Sequence, residues 1–590
     1  MTTSQHAQQD AQQGTLQDAG RAVHVRAELP LAPGAVERAN ALALRKAQDA
    51  DTRTGVLEYV VRHAEQAPDR PAVTEGERTL TYRELLERVA AMRDALVSRG
   101  VRAGDVVAAV GPRSTGTPVV FLALESLGAS YLPVDPGWPE GRVRDVLNRS
   151  RAALLLDYSG AGGASGADEA GAAGAAGEAG STAHAATAAA AAEEIPTLRP
   201  PAEGAPGPAA PLPRSTADRS HETRYTIFTS GTTGRPKGAT VEHQGMLNHL
   251  WAKVADLSLG PDDVVAFTAP LVFDISIWQM LCPLLTGGRL VVVDDSAMRF
   301  PRWLVGTLDT AGVTVVELVP TVVGWLVDEA QRLGGGLLKQ LRWLLSTGEE
   351  LHPAAAARVL DGLPHVAVVN AYGPTECSDD VTHHLVTAAD LARPRLPVGS
   401  PVVNTALYLL VHGADGTWRA AEPGESGELF VGGTGVGLGY LNDPGTTDRA
   451  FFRDPFDPDS ATGRLYRTGD LARFDEGLVH YLGRGDRQVK VAGVRMELDE
   501  IEAVLSRHPA VDKCAVTVSG EGDLAELVAH YCLRSPVTPE ALEEALGAAL
   551  PLPMVPRRWR EWDALPLTPN GKIDHRSLQA AAATPRKEAR

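Results

Sequence analysis

Four short apolar runs constrain this chain more than any other feature. They are VVAAVG (106–111), RLVVVD (289–294), VTVVELV (313–319) and HVAVVNAYG (365–373). Continuous runs of this length read as strands buried on both faces, and helical patterns separate them. One such pattern, LTYRELLERVAAMRDALVSRG (80–100), has apolar residues at helical spacing and a Gly stop. The alternation predicts a mostly parallel, layered α/β body.

The chain's 590 residues, 44% hydrophobic and 22% charged, have room for a large core and a second, smaller one. The second half turns more β-rich at ALYLLV and GELFVGG. Beyond Gly485 a compact run follows: strand RQVKVAG, helix LDEIEAVLSRHP, strands KCAVTV and ELVAHYCL, and helix TPEALEEALGAAL. The expected organisation is a disordered polar tail over 1–51, a large multi-sheet α/β domain over 52–485, a small mobile α+β domain over 486–580 and a tail over 581–590. Residues 159–220, rich in Ala, Gly and Pro, are expected to form a flexible insertion in the large domain. Large apolar side chains are nearly absent there, so little burial offsets the cost of ordering.

The formal charge of −18 argues against binding nucleic acid or an anionic membrane. Four Cys with no CxxC pair suggest reduced thiols in a cytoplasmic protein. No apolar run is long enough to predict a membrane anchor.

The stretch YTIFTSGTTGRPKG (225–238) reads as a strand delivering an anion loop. Its hydroxyls and glycines let backbone and side-chain donors crowd a phosphate, and Lys237 adds charge. It is not a Walker loop: Pro236 stands where the second Gly is required and Gly238 where a hydroxyl is required. An ordinary Gly-rich turn has the same composition.

The loop resembles the signature of the adenylate-forming superfamily, and further segments are similar to those of non-ribosomal peptide synthetase adenylation domains. In order these are LTYRELLERV, LGASYLPVDPGWPEGRV, FDISIW, NAYGPTE, GELFVGGTGVGLGYLNDP, YRTGDL, GRGDRQVKVAGVRMELDEIE and NGKID, spanning residues 52–580. The resemblance implies ATP-dependent formation of an aminoacyl-adenylate. A phosphopantetheine thiol of a peptidyl carrier protein then accepts the aminoacyl group. Little chain follows NGKID, so the carrier is expected to act in trans. An MbtH-like helper is left open.

By resemblance, Thr229, Ser230, Gly231, Thr232, Thr233 and Lys237 surround the ATP phosphates. Asn370, Ala371 and Tyr372 hold adenine, and Thr375 reaches phosphate. Glu376 is the Mg2+ ligand, a hard oxygen donor for a hard cation. Asp470 and Arg484 bind the ribose. Lys572 is the expected catalytic lysine, Lys490 sits on the opposite face of the small domain, Asp486 is the hinge, and Gly493 lines the pantetheine path. Ala492 departs from a common Arg and leaves the thiolation face less specified.

The amino-acid pocket carried over by motif is Asp274, Ile275, Trp278, Glu317, Leu345, Thr347, Ala371, Asp379, Asp380 and Lys572. Asp274 matches the carboxylate that meets the substrate α-ammonium, and it also suits a helix N-cap. Glu317, Asp379 and Asp380 are three further carboxylates, and buried carboxylates require cations or protons. Either the protein supplies those cations or the substrate does. The second case predicts a basic or diamino acid of lysine, β-lysine, ornithine, diaminobutyrate or arginine type. An acyl- or aryl-CoA ligase, or a nucleotide-binding module without turnover, are the rival functions.

Overall fold

The computed structural model describes residues 25–160, 185–200, 212, 218–231, 235–334, 336–485, 487–491, 493–520, 525–567 and 573–582. The apolar runs become central strands. Among the described residues, one sheet has nine strands, with Val315–Leu318, Val264–Phe267 and Arg289–Val292 adjacent at its centre. They pair in parallel with one another, and Trp343–Ser346 and Ala367–Tyr372 extend the parallel run. A second sheet places Ser130–Val134 between Val106–Val110 and Thr223–Thr229. Their apolar faces meet in one core with helices Tyr82–Ser98, Gly116–Leu127, His243–Leu257 and Ile275–Thr286 between them. Each fully buried Val or Leu there contributes about 1.5–3 kcal/mol.

Local sequence sets the helix starts. Thr81 caps Tyr82–Ser98 through a reciprocal box with Glu84. A third, antiparallel sheet is built from Thr405–His412, Gly427–Gly433 and Arg464–Asp475, with shorter strands at its edges. Its strand Leu478–Arg484 leads into the C-terminal unit, which pairs Gln488–Val491 with Val494–Glu497 and holds a separate three-stranded sheet. That unit has its own core, including Met496, Ile501, Val516 and Leu542.

Two expectations about order are corrected. Residues 25–51, expected within a disordered tail, are folded: Val25 and Ala39 are buried and Leu44–Lys46 pairs with Thr405–His412. Polar composition concealed a few apolar anchors, Val25, Leu29 and Ala39, that find complementary surface on the third sheet. Within the expected insertion, residues 185–192 are helical, with Ala186, Ala189 and Ala190 buried under the second sheet. Thr197–Leu198 adds a strand beside Leu154–Asp157. An Ala-rich helix lets backbone approach a sheet closely, so small side chains suffice. Residues 161–184, 201–211 and 213–217 lie outside the described residues.

All four cysteines are free and buried. No described helix is long and apolar enough to cross a membrane.

Candidate active site

Parallel strands deliver loops at their C-terminal ends, where open α/β sheets place ligands. Glu317 ends one strand, Thr347 follows the next, and Asn370, Ala371 and Tyr372 end a third. The register sets Glu317 beside Leu345 and Ser346 beside Asn370. After Val264–Phe267 the chain reaches Asp274, which caps helix Ile275–Thr286 by accepting from Ile275 N–H at 3.0 Å. Burial raises the Asp274 carboxyl above its usual range, and the nearby charge of Asp380 adds to this.

The described ends of the expected phosphate loop lie near Glu376 and the C-terminal unit. Thr229 ends its strand, Ser230 and Gly231 follow, and Thr232 and Thr233 lie outside the described residues. Lys237 Nζ is 3.6 Å from Glu376 Oε1 and lies over the Tyr440 ring at 5.0 Å. The Tyr440 hydroxyl donates to Glu376 Oε1 at 2.7 Å, and Arg495 Nη1 donates to Oε2 at 2.9 Å. Burial alone would raise the Glu376 carboxyl, but Arg495 and Lys237 hold it well below the carboxylate range. Asp470 accepts from the Tyr372 hydroxyl at 2.5 Å and from Arg484 at 2.8 Å. Asn370 donates to the Pro397 carbonyl at 2.8 Å.

The small domain closes over this crevice with one particular face. Ser230 Oγ donates to the Arg495 carbonyl at 3.0 Å, and Gly231 N–H donates to Glu500 at 3.2 Å. Arg142 of the large domain pairs with the same Glu500 at 3.0 Å. Gly493 N–H donates to Glu349 at 2.6 Å, and a Cβ at Gly493 would lie 2.8 Å from Val319 Cγ1. Lys490 is on this face, within reach of the charges of Asp470 and Asp274. The expected hinge Asp486, the departure Ala492 and the expected catalytic Lys572 lie outside the described residues.

Glu376 suits a Mg2+ that arrives on nucleotide phosphates, since Mg2+ is held by one or two carboxylates plus substrate oxygens. In this arrangement Arg495 takes the same carboxylate, so the metal fits only once that guanidinium withdraws. Among the described residues no cluster of three metal-ligating side chains exists.

Beside the residues expected to form the amino-acid pocket stands one that the motifs did not reveal. Lys253, from helix His243–Leu257, is fully buried, with Nζ 2.5 Å from Asp380 Oδ2 and 3.5 Å from Glu317 Oε2. It also lies over the Trp278 ring at 4.7 Å, and Trp278 Nε1–H donates to Glu317 Oε2 at 2.5 Å. Thr347 Oγ1 is 3.4 Å from Asp380 Oδ1. Of the two sources of cations left open by the sequence, the protein supplies one, Lys253, to Asp380 and, at longer range, to Glu317. Burial would raise Asp380, but Lys253 and His383 hold it far below its usual range. His249 Nε2 stands 2.8 Å from Asp379 without hydrogen-bond alignment, and burial pushes its pKa down to about 3. The signal for Lys253 in the sequence was its place on the stripe Met246, Leu250, Lys253 and Leu257, an apolar face where a cation needs buried partners.

Ile275 is half-buried, whereas Leu345 and Ala371 are buried apolar walls. Asp379 adopts φ 128°, a conformation that costs an L residue about 1–3 kcal/mol. It is held by Gly373, where an added Cβ would lie 1.9 Å from the Asp379 carbonyl oxygen. Gly373→Ala is expected to destabilise by about 1–3 kcal/mol and, by shifting Asp379, to lower turnover about 100-fold. Thermal unfolding and steady-state rates would check this; an unchanged rate would mean that the position of Asp379 is not critical.

Residues 60–441 match the model of the AMP-binding enzyme family, and residues 500–572 match that of the AMP-binding enzyme C-terminal domain. The chain is 33% identical over 545 residues to enterobactin synthase component F of Escherichia coli, covering 89% of this chain and 39% of that protein. It is 34% identical over 542 residues to phosphinothricin tripeptide synthetase PhsB of Streptomyces viridochromogenes, covering 91% of this chain and 42% of that protein. It thus spans about two fifths of the length of these relatives. Among solved structures it is similar to PA1221, a non-ribosomal peptide synthetase protein containing adenylation and carrier domains. That match has a TM-score of 0.73 and 28% identity, covering 91% of this chain and 99% of that one.

Proposed function

The chain belongs to the AMP-binding enzyme family, and we propose that it activates an amino acid as its adenylate and passes it to a carrier-protein thiol. The observation that carries this reading is the pairing of Lys237 with Glu376 at 3.6 Å, from two separate segments. In the first half-reaction a substrate carboxylate oxygen attacks the α-phosphorus of ATP and pyrophosphate leaves. In the second, a phosphopantetheine sulfur attacks the acyl carbon and AMP leaves.

Ser230, Thr232, Thr233 and Lys237 would steady the phosphates, while Asp470 and Arg484 take the ribose. Mg2+ at Glu376 would neutralise phosphate charge. Lys572 would bridge the substrate carboxylate and the α-phosphate, with such donors worth about 10²–10³ in rate. A rotation at Asp486 would exchange the Lys572 face for the Lys490 and Gly493 face that closes the crevice here. An MbtH-like helper is compatible with this scheme and is not required by it.

The substrate would carry a second amine. Lys253 accounts for Asp380, but Glu317 Oε1 and Asp379 Oδ2 remain buried with no hydrogen-bond partner. Burial raises both carboxyls strongly, and a cationic donor would let them ionise.

Pyrophosphate exchange over all proteinogenic and diamino acids tests the reading, followed by offering a holo-carrier protein and free coenzyme A as competing acceptors. We expect amino-acid-dependent exchange and transfer to the carrier. Preference for coenzyme A would favour a CoA ligase, and absence of exchange with every acid would remove the enzymatic reading.

A further inference from the structure

We infer that Lys253 is a specificity-determining residue that sets the length of the substrate side chain, so that the pocket takes a short diamino acid, with its second amine one or two carbons beyond Cα. The inference rests on the reading of these positions as the amino-acid pocket. It adds a residue that no motif includes.

Lys253 already stands where the far ammonium of a lysine-length substrate would have to pair. Its Nζ lies between Asp380 and Glu317, at 2.5 and 3.5 Å, and its stem reaches that point from a neighbouring helix. A second ammonium placed beside it would meet like charge among buried groups, a costly arrangement at low dielectric. Trp278 packs against the same point. Its ring sits under Nζ, its Nε1–H is committed to Glu317, and the side chain has no exposure. A long substrate would have to displace both side chains.

Two acceptor oxygens are left over. Asp379 feels the charge of Asp274, the proposed partner of the α-ammonium, and its Oδ2 faces His249 Nε2 at 2.8 Å without an aligned hydrogen bond. Glu317 Oε1 is the other unpaired oxygen, its partner oxygen being taken by Trp278. Both residues are more than nine-tenths buried. A short side-chain amine supplies donors to these oxygens without entering the space that Lys253 holds. A hydrophobic side chain of the same length would leave them unpaired, an arrangement that buried polar sites reject strongly.

The test measures kcat/KM for pyrophosphate exchange with 2,3-diaminopropionate, 2,4-diaminobutyrate, ornithine and lysine, using the wild-type protein, Lys253→Ala and Lys253→Met. The wild type is expected to favour the two shorter acids over lysine by at least about tenfold per excess methylene. In Lys253→Ala, which opens space and frees Asp380 and Glu317, the ratio of lysine to diaminobutyrate should rise by about 100-fold or more. Lys253→Met keeps most of the stem's volume and should keep lysine excluded. Wild-type exchange with lysine as fast as with diaminobutyrate would overturn the inference without need of any variant. So would an unchanged length order in a folded Lys253→Ala protein, since a purely structural lysine would lower all four rates together. Exchange with none of the amino acids would instead refute the function proposed above.

Discussion

Replacing Asp274 with Ala is expected to lower kcat/KM for pyrophosphate exchange by about 10³. Removing one partner of a buried charge pair costs about 2–5 kcal/mol, and each 1.4 kcal/mol is tenfold in rate. The side chain has two jobs in the structure, and they can be separated. It caps helix Ile275–Thr286 through Ile275 N–H, a contact worth about 1 kcal/mol. It also presents a carboxylate whose ionisation burial and Asp380 oppose; an incoming α-ammonium would favour the ionised form. Asp274→Asn retains an acceptor for the cap and the shape of the side chain but loses the charge. It should keep the thermal midpoint close to wild type while losing nearly as much exchange activity as Asp274→Ala. An Asn variant that exchanges at the wild-type rate would reduce Asp274 to a helix cap.

What could be read from the chain and what could not divide along a physical line. Local signals carried through: the apolar runs became parallel strands, and Thr81 with Glu84 became a capping box. Thr229 ends its strand and Ser230 and Gly231 leave it, as the composition suggested. Long-range pairings left little trace in local sequence: the apolar stripe marks Lys253 but names none of its partners. Lys253 meets Asp380 across 127 residues, and Arg495 meets Glu376 across 119. A lysine within HLWAKVADL reads equally as a surface residue of an amphipathic helix until the fold shows that both sides of the helix are covered. The N-terminal anchors Val25 and Leu29 and the buried alanines at 186, 189 and 190 were missed for a related reason. Composition measures how much apolar surface a segment has, whereas burial depends on whether a complementary surface awaits it. Asp379 is legible only in part: the sequence shows its charge, but the strained backbone that aims it is imposed by Gly373.

Arg495→Met is expected to separate the two half-reactions. The guanidinium and the Glu376 carboxylate form a buried pair, with side-chain exposures of 13% and 0%. Breaking such a pair costs about 3–5 kcal/mol because a charge is left behind. Lys237 and the Tyr440 hydroxyl remain on Glu376, which points to the lower end. That cost falls only on the arrangement in which strand Val494–Glu497 lies against the phosphate loop. When the small domain is turned away, Glu376 is free for Mg2+ and loses nothing by the substitution. A difference of about 3 kcal/mol moves a two-state population by roughly 10². Carrier loading, assigned above to the arrangement with Lys490 and Gly493 facing the crevice, should therefore fall about 100-fold, while pyrophosphate exchange stays within about threefold of wild type. Arg495→Lys keeps the charge without the planar fork and should restore loading in part. Equal losses in both assays would place Arg495 in adenylation itself. Unchanged loading would mean that the pair with Glu376 does not hold the domains in the arrangement from which the thiol attacks.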